Sequence, residues 1–200
     1  LGIALLFASI LSFKVRIANF WKGILFFPYL LNGVAIGFIF LYFYKSGGTL
    51  DSLLRLIGLK GQLPLWLGNH KINNLSLVAT SIWRYTGFNF VIFLGAIQSI
   101  DPEIYEAAQI DGANAWQQFR HIIIPNIKEI IYLNIILGVS GALSVFEIPY
   151  VMTGGANGTN TFVIQTMNSA FVYGKTGLAS AMAIILLIIV IAVTVIQRLI

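Results

Sequence analysis

The chain has 200 residues, of which 58% are apolar and only 10% charged, and its mean hydropathy is +0.88. Because a soluble domain is about a quarter charged, this composition predicts an integral membrane protein and excludes an ordinary soluble enzyme. The chain contains no cysteine, which excludes disulfides, zinc–thiolate sites and cysteine nucleophiles. The formal net charge of +5 comes from basic residues scattered between apolar segments, a pattern of membrane-flanking residues rather than of a nucleic-acid-binding face.

The first apolar run, residues 1–13, is too short to cross a membrane. A helix of 13 residues is about 20 Å long, whereas the hydrocarbon core is about 30 Å thick. We interpret the run as the second half of a span that begins before Leu1, since neither a basic segment nor a small-residue cleavage site marks it as a signal peptide. The short link that follows carries Lys14, Arg16 and Lys22, which predicts that this link is cytoplasmic.

The second predicted span covers about residues 21–44 and then leaves the cytoplasm. Aromatic residues lie at both of its ends, as in the belts that mark membrane–water interfaces. Its interior contains Pro28, Asn32 and Gly33, which predict a kinked helix that faces other helices or a cavity.

Residues 45–74 are predicted to form an external loop rich in turn signals. Within it, Asp51 is predicted to cap a short amphipathic helix that carries Leu53, Leu54 and Ile57 and ends near Gly58. A short helix with this pattern is typical of a segment that lies in the membrane interface.

The third predicted span, about residues 75–97, contains Arg84, for which two interpretations stay open. An ionisable residue in a span is commonly functional, and Arg84 would then face a cavity. Alternatively, its position in the first half of the helix lets the side chain extend to the outer interface. The fourth predicted span, about residues 130–150, carries Gly138 and Gly141, which favour close packing of helices.

A second external loop is predicted over residues 151–177, followed by a last span over about residues 178–199 that returns to the cytoplasm. Part of this loop, Thr161 to Tyr173, has helical apolar spacing and is predicted to lie along the outer surface or to dip inward. The tripeptide Gly174-Lys175-Thr176 echoes the end of a phosphate-binding loop, but the first glycine of that motif would fall at Ser169 and no strand precedes it.

The predicted cytoplasmic loop, about residues 98–126, is the longest polar interruption in the second half of the chain. Asp101 is placed to cap a short helix in which Pro102 takes the first position and Glu103 lies favourably against the helix dipole. Gly112 is predicted to end that helix in the left-handed conformation. A second helical piece, roughly residues 114–124, is predicted to stop before Pro125.

The spacing of Glu106-Ala107-Ala108, Gly112 and Ile122-Ile123-Ile124-Pro125 resembles the cytoplasmic EAA motif of permease subunits of binding-protein-dependent ABC importers. The one departure in the motif is Ile124, where the family usually has Leu. The flanking residues 95–100 are similar to the carbohydrate-uptake, maltose-type branch of sugar permeases. A second departure follows the fourth span, where the Thr153-Gly154-Gly155 stretch lacks the proline that the family usually shows.

This resemblance implies an all-α, polytopic fold of the type I ABC importer transmembrane domain, with about five spans of which the first is incomplete. It also implies a single transmembrane domain over residues 1–200 that carries no ATPase site, since ATP and Mg would be bound by a separate pair of ATPase subunits. The other implied partners are a second permease subunit, an extracytoplasmic sugar-binding protein and the sugar itself. The coupling-loop residues that would contact the ATPase are Glu106, Ala107, Ala108, Asp111, Gly112, Trp116, Phe119, Ile124 and Pro125.

A sugar path needs polar groups beside aromatic or apolar faces, and the predicted spans offer candidates for both. Ser81, Arg84, Tyr85 and Phe88 fall on one helical face by their spacing. The other candidates are Tyr29, Asn32, Ser140, Ser144 and Glu147. Two alternatives stay open at this point: a permease for another polar solute such as glycerol phosphate, and a multi-pass scaffold protein that transports nothing.

Overall fold

The computed structural model describes residues 1–12, 18–59 and 61–199. These residues form helices joined by turns and loops, with no strand among them. The helices in the first half are α1 (Gly2–Ser12), α2 (Ala18–Leu30), α3 (Gly33–Tyr44), α4 (Thr49–Leu56) and α5 (Asn73–Gln98). Those in the second half are α6 (Pro102–Ile110), α7 (Ala115–Gln118), α8 (Ile124–Asn126), α9 (Lys128–Leu143), α10 (Glu147–Thr153), α11 (Phe162–Met167) and α12 (Thr176–Leu199). Single π-helical turns, Phe119–Ile123 and Asn168–Val172, follow α7 and α11. Phe13, Lys14, Arg16, Lys60 and Ile200, which entered the topology prediction, lie outside the described residues.

Three stretches are long and apolar enough to cross a membrane: Asn73–Gln98, Lys128–Thr153 and Thr176–Leu199. A fourth is added if α2 and α3, separated by a short break, count as one span. The first three stretches confirm the predicted spans at about residues 75–97, 130–150 and 178–199, and the predicted span at about residues 21–44 corresponds to α2 and α3 taken together. The break falls next to Asn32, whose side-chain oxygen accepts the Val34 N–H at 2.8 Å and so caps α3, and this confirms the predicted kink.

The contacts within the chain group into two compact units. The first comprises Leu1–Leu30 and Trp83–Gly138. Its core is formed by one face of α1, which carries Ala4 and Ala8, and one face of α5, which carries Phe90 and Phe93. The spacings of four and three residues place each pair on one side of its helix. Ile123, at the end of the loop between α5 and α9, is fully buried in the same core.

The second unit comprises Leu31–Ile82 and Val139–Ile200. In it α3 packs closely on α10, because Gly37 leaves room for the Val151 side chain: a Cβ at residue 37 would lie 2.7 Å from the Cβ of Val151. The long connections are tied together by side-chain amides. Asn73 donates to the Asn157 carbonyl at 2.5 Å, and Asn157 donates to the Leu67 carbonyl at 3.3 Å.

The fourth span is interrupted, which the sequence analysis did not predict. Helix α9 ends at Leu143, and α10 begins at Glu147. Pro149 has no N–H to donate to the Val145 carbonyl four residues earlier. The Thr161 hydroxyl donates to that carbonyl at 3.0 Å instead, so a side chain from a distant loop satisfies the group that the proline leaves free.

The prediction that Asp51 caps the short external helix was also wrong, although the helix itself is present as α4. The N-cap residue is Gly48. Asp51 lies inside the first turn, where its carboxylate accepts the Trp66 indole N–H at 2.7 Å and the Gly47 backbone N–H at 2.7 Å. The predicted helical character of residues 161–173 is confirmed by α11 and the π turn that follows it.

Candidate functional site

Helix α6 has well-defined ends on both sides. At its start the Asp101 carboxylate accepts the Glu103 N–H at 3.0 Å, and Pro102 occupies the first helical position, as predicted. At its end Gly112 has φ +79°, and the Ala113 N–H donates to the Ala108 carbonyl at 2.8 Å. Together with the bond from the Gly112 N–H to the Gln109 carbonyl, this is the Schellman arrangement, which needs a left-handed residue and therefore favours glycine.

Helix α7 begins with a complete capping box. The Asn114 side chain accepts the Gln117 N–H at 2.9 Å, and the Gln117 side chain accepts the Asn114 N–H at 2.8 Å. The buried Gln118 side chain donates to the Ala113 carbonyl at 2.9 Å. The turn between α6 and α7 is therefore held by hydrogen bonds on both sides of Gly112, which makes the two short helices one rigid piece.

The prediction that the second helical piece stops before Pro125 was wrong, because the helix changes register first. In the π turn the Ile124 N–H reaches back five residues to the Phe119 carbonyl. Pro125 then takes the first turn of α8, where an N–H is not required. The Asn126 side chain donates to the Ile122 carbonyl at 2.7 Å. The chain thus continues through Pro125 to Asn126, and Ile124 is half-buried while Pro125 is exposed.

The outer surface of this loop combines exposed apolar and acidic side chains. Helix α6 contains no buried residue: Glu106 and Ala107 are exposed, and Ala108 is half-buried. Ile110 is 87% exposed and Trp116 is 66% exposed, far more than large apolar side chains of a polar loop normally are. The Asp111 side chain beside Gly112 is exposed as well. Such a surface suits a protein partner with an apolar cleft and basic groups.

The inner surface of the loop is fixed to the spans of its own unit. Tyr105 and Phe119 pack against the core formed by α1 and α5. Burial raises the pKa of the Tyr105 hydroxyl, whose oxygen has no hydrogen-bond partner among the described residues. The Trp116 ring stacks on Phe119 with centroids 5.4 Å apart. Exposed Trp116 is therefore connected through Phe119 to the core of the first unit.

In the first unit, α2 and α5 bring together an aromatic cluster. The Tyr29 ring stacks on Phe88 with centroids 4.6 Å apart and lies 6.4 Å from Tyr85. The Arg84 guanidinium lies over the Tyr85 ring at 5.2 Å. Gly87 makes the close approach possible, since a Cβ there would meet the α2 backbone at Leu25 and Phe26. Four of the predicted path residues, Tyr29, Arg84, Tyr85 and Phe88, are thus neighbours.

In the second unit, a pocket of about 670 Å³ lies beside α10 and contains one predicted path residue, Glu147. The Phe146 and Tyr150 rings stack there with centroids 4.9 Å apart. Our sequence reasoning missed Phe146, Tyr150 and Asn168, which also line the pocket. The aromatic pair at a spacing of four residues was a signal that could have found the first two.

The remaining predicted path residues lie elsewhere in the second unit, and the side chains of Asn32, Ser81 and Ser140 are engaged in structural bonds. The Ser81 hydroxyl donates to the Leu77 carbonyl of its own helix at 3.0 Å. The Ser140 hydroxyl lies 3.3 Å from that of Thr194, joining α9 to α12. The Ser144 N–H donates to the Ser140 carbonyl as the helix ends. None of these bonds reaches the pocket beside α10.

The comparisons with known proteins agree with this architecture. The family described as "Binding-protein-dependent transport system inner membrane component" matches residues 1–200. The "Probable ABC transporter permease protein YurN" of Bacillus subtilis is 35% identical over 198 residues, which cover 96% of this chain and 68% of that protein. The "Arabinooligosaccharides transport system permease protein AraP" of Bacillus subtilis is 31% identical, over 98% of this chain and 64% of that protein.

Among solved structures, a bacterial ABC transporter involved in the import of the acidic polysaccharide alginate contains a chain with the same fold. The TM-score is 0.86 at 23% identity, and the match covers 99% of this chain and 72% of that chain. The fold is therefore that of an ABC importer transmembrane domain, as predicted. The protein is a multi-pass membrane protein that belongs to the family of inner membrane components of binding-protein-dependent transport systems, the permease subunits of ABC transporters.

Proposed function

We propose that this chain is the permease subunit of an ATP-driven importer in the bacterial cytoplasmic membrane, and that its substrate is a carbohydrate, in the first place an oligosaccharide. An extracytoplasmic binding protein would deliver the sugar, and a second permease subunit would complete the path. The family description supports the dependence on a binding protein. The name of the relative AraP, which refers to arabinooligosaccharides, supports the substrate class.

The observation that carries the carbohydrate proposal is the aromatic cluster in which Tyr29 stacks on Phe88 and lies near Tyr85, beside Arg84. A sugar ring offers C–H faces to aromatic side chains and hydroxyl groups to polar ones, so a path for sugars needs both kinds of group in one place. The pocket beside α10 repeats this combination, with stacked Phe146 and Tyr150 next to Glu147 and Asn168.

Uptake measurements with aromatic variants test this proposal. We expect Tyr29→Ala and Phe88→Ala to reduce oligosaccharide uptake by at least tenfold while the assembled complex still forms, because each change removes the stacking partner of the other ring. Phe27→Ala is the matched control, since this exposed aromatic residue lies on the same helix as Tyr29. Equal uptake by all three variants would contradict a role for the cluster in the sugar path.

A permease for an anionic solute such as glycerol phosphate is the second candidate, and Arg84 favours it. Its guanidinium lies beside the aromatic cluster, where a positive charge would attract a phosphate group. Competition experiments separate the two candidates. We expect unlabelled neutral oligosaccharide, and not glycerol phosphate, to suppress uptake of the labelled sugar. Suppression by glycerol phosphate alone would replace the carbohydrate proposal with this one.

We further propose that residues 98–126 form the cytoplasmic coupling loop that docks on a separate ATPase subunit, which binds ATP and Mg. Glu106 would pair with a basic group of the ATPase, and Trp116 would fill an apolar cleft. ATP-driven movement of the ATPase pair would pull on the rigid α6–α7 piece and, through Phe119, on the spans. The chain itself would bind no nucleotide. Residues 168–172, just before Gly174-Lys175-Thr176, are helical, whereas a phosphate-binding loop follows a strand.

Charge reversal on the loop tests the coupling proposal. We expect Glu106→Lys to weaken association with the ATPase and to abolish transport-coupled ATP hydrolysis, since it places a like charge against the basic partner. Glu129→Lys makes the same charge change at an exposed position of α9 outside the loop, and we expect it to behave as the unmodified chain. Normal association and hydrolysis with Glu106→Lys would show that the loop is not the docking site.

A further inference from the structure

Helix α4 is held directly against the end of a membrane-spanning helix. The connection from α3 to α4 is only residues 45–48, and it folds into a turn in which the Gly48 N–H donates to the Lys45 carbonyl at 2.7 Å. Gly48 lies so close to the last carbonyls of α3 that a Cβ there would be 2.7 Å from the Lys45 oxygen. Because the connection is this short and tight, α4 begins next to the end of α3, at the level where α3 leaves the membrane.

One side of α4 is fastened to its own unit. Asp51 is only 4% exposed and accepts the Trp66 indole N–H and the Gly47 N–H, both at 2.7 Å. Leu50, next to it, packs against the core that contains Tyr44. These contacts decide which side of the helix faces the protein and keep the helix from turning about its axis.

The apolar stripe that continues from Leu50 along the helix presents large residues to the surroundings. Leu56 is 81% exposed and Ile57 is 75% exposed, and Leu53, one turn before Leu56, is exposed as well. Arg55, which lies on the same side of the helix as Asp51, is exposed at the edge of this stripe. Fully exposed apolar side chains in adjacent turns of a short helix are unfavourable in water. They are typical of a helix that lies in the boundary between lipid headgroups and acyl chains, where basic residues contact phosphates.

The end of α3 supplies an independent mark of the membrane interface. Tyr42 is exposed on α3, and the Lys45 ammonium lies 5.9 Å from the centre of its ring. An aromatic ring with a basic group beside it is the residue pair expected at headgroup level. Since α4 begins only four residues after Lys45, its exposed apolar residues lie close to the headgroup level that Tyr42 and Lys45 mark.

We propose that α4 is an interfacial anchor that inserts Leu53, Leu56 and Ile57 into the leaflet that receives the C-terminal end of α3. Arg55 and Lys45 contact phospholipid phosphates at the same level. The occupant of this surface is lipid, and the anchor fixes the connection between α3 and α5 relative to the bilayer. The proposal depends on the membrane location of the chain and not on its substrate, so its failure would leave the carbohydrate proposal untouched.

Site-directed spin labelling tests this proposal, and the chain is suited to it because it contains no cysteine. Leu56→Cys and Ile57→Cys are each labelled with a nitroxide before assembly with the partner subunits in nanodiscs of phosphatidylethanolamine and phosphatidylglycerol. Gln62→Cys is the control, an exposed polar position in the connection between α4 and α5. Collision rates with oxygen, which concentrates in lipid, and with a water-soluble nickel chelate are measured at each position.

We expect the ratio of oxygen to nickel collisions to be severalfold higher at Leu56 and Ile57 than at Gln62. Equal ratios at the three positions would overturn the proposal, because the apolar side would then be in water. Protection of Leu56 and Ile57 from both reagents would overturn it as well, because a protein partner would then cover this side of α4.

Discussion

Replacement of Gly87 by alanine tests how α2 and α5 are held together and, with them, the aromatic cluster. A Cβ at residue 87 would lie 3.0 Å from the Leu25 carbonyl carbon and 3.0 Å from the Phe26 Cα, and closer still to the Leu25 oxygen, whereas ordinary contact begins at 3.4 Å. These are backbone atoms, so no side-chain rotation relieves the overlap. Helix α2 must therefore move away from α5, and Tyr29 moves with it.

Overpacking of this kind costs about 1 to 3 kcal/mol, and for a chain of this size each kcal/mol lowers the melting temperature by roughly 2 to 4 °C. We expect Gly87→Ala to lower the melting temperature of the purified complex accordingly and to impair sugar uptake. The assay is thermal unfolding in detergent together with uptake into proteoliposomes.

The control is Gly95→Ala on the same helix, where a new Cβ has no atom within 4 Å. This change is expected to be neutral or to stabilise the helix by up to about 1 kcal/mol. If Gly87→Ala unfolds at the same temperature as Gly95→Ala and transports equally well, then α2 and α5 do not approach each other as closely as described.

Three further predictions concern single hydrogen-bonded groups. The Trp66 and Gly47 N–H donors hold the pKa of Asp51 below its usual value of 3.8. Their stabilising contribution is therefore fully present at a pH above 3.8 and is lost as the pH falls through the lower pKa of the folded protein. We expect the protease sensitivity of the α4 region to rise in that pH range, and this pH dependence to be absent in Asp51→Asn. Asn114→Ala removes the side chain that accepts the Gln117 N–H and so destabilises α7 by about 1 kcal/mol. We expect faster hydrogen exchange of the α7 amides. Thr161→Val removes the hydrogen bond to the half-buried Val145 carbonyl at a cost of about 0.5 to 1.5 kcal/mol. We expect a lower melting temperature, and an unchanged one would contradict this role of Thr161.

Much of the fold could be predicted because the controlling signals are local. The spans follow from uninterrupted apolar length, and the ends of α6 follow from Asp101, Pro102 and Gly112, each of which acts on backbone groups within a few residues of itself. The kink at Asn32 also depends on a local signal, because Asn32 lies between α2 and α3 and its own side chain caps α3.

The missed features depend on partners that are distant in the sequence. The break before α10 is stable because Thr161 satisfies the carbonyl left free by Pro149, 12 residues away. Asp51 was predicted to be a helix cap because its position before an apolar stretch is typical of one. Its real hydrogen-bond donor, the Trp66 indole N–H, is 15 residues away and cannot be identified from sequence spacing. Spacing also could not separate a cavity face from a packing face among the path candidates: a helical face that carries serines looks the same whether, like Ser140, it joins another helix or lines a cavity.

The central claim is that this chain carries a carbohydrate across the membrane at the expense of ATP. The most direct test is uptake of a radiolabelled oligosaccharide into proteoliposomes that contain the chain, its partner permease and the ATPase pair, with binding protein outside and ATP inside. We predict ATP-dependent accumulation that is abolished by Glu106→Lys and retained by Glu129→Lys. Accumulation at the same rate in liposomes that lack this chain, or with Glu106→Lys in its place, would contradict the account.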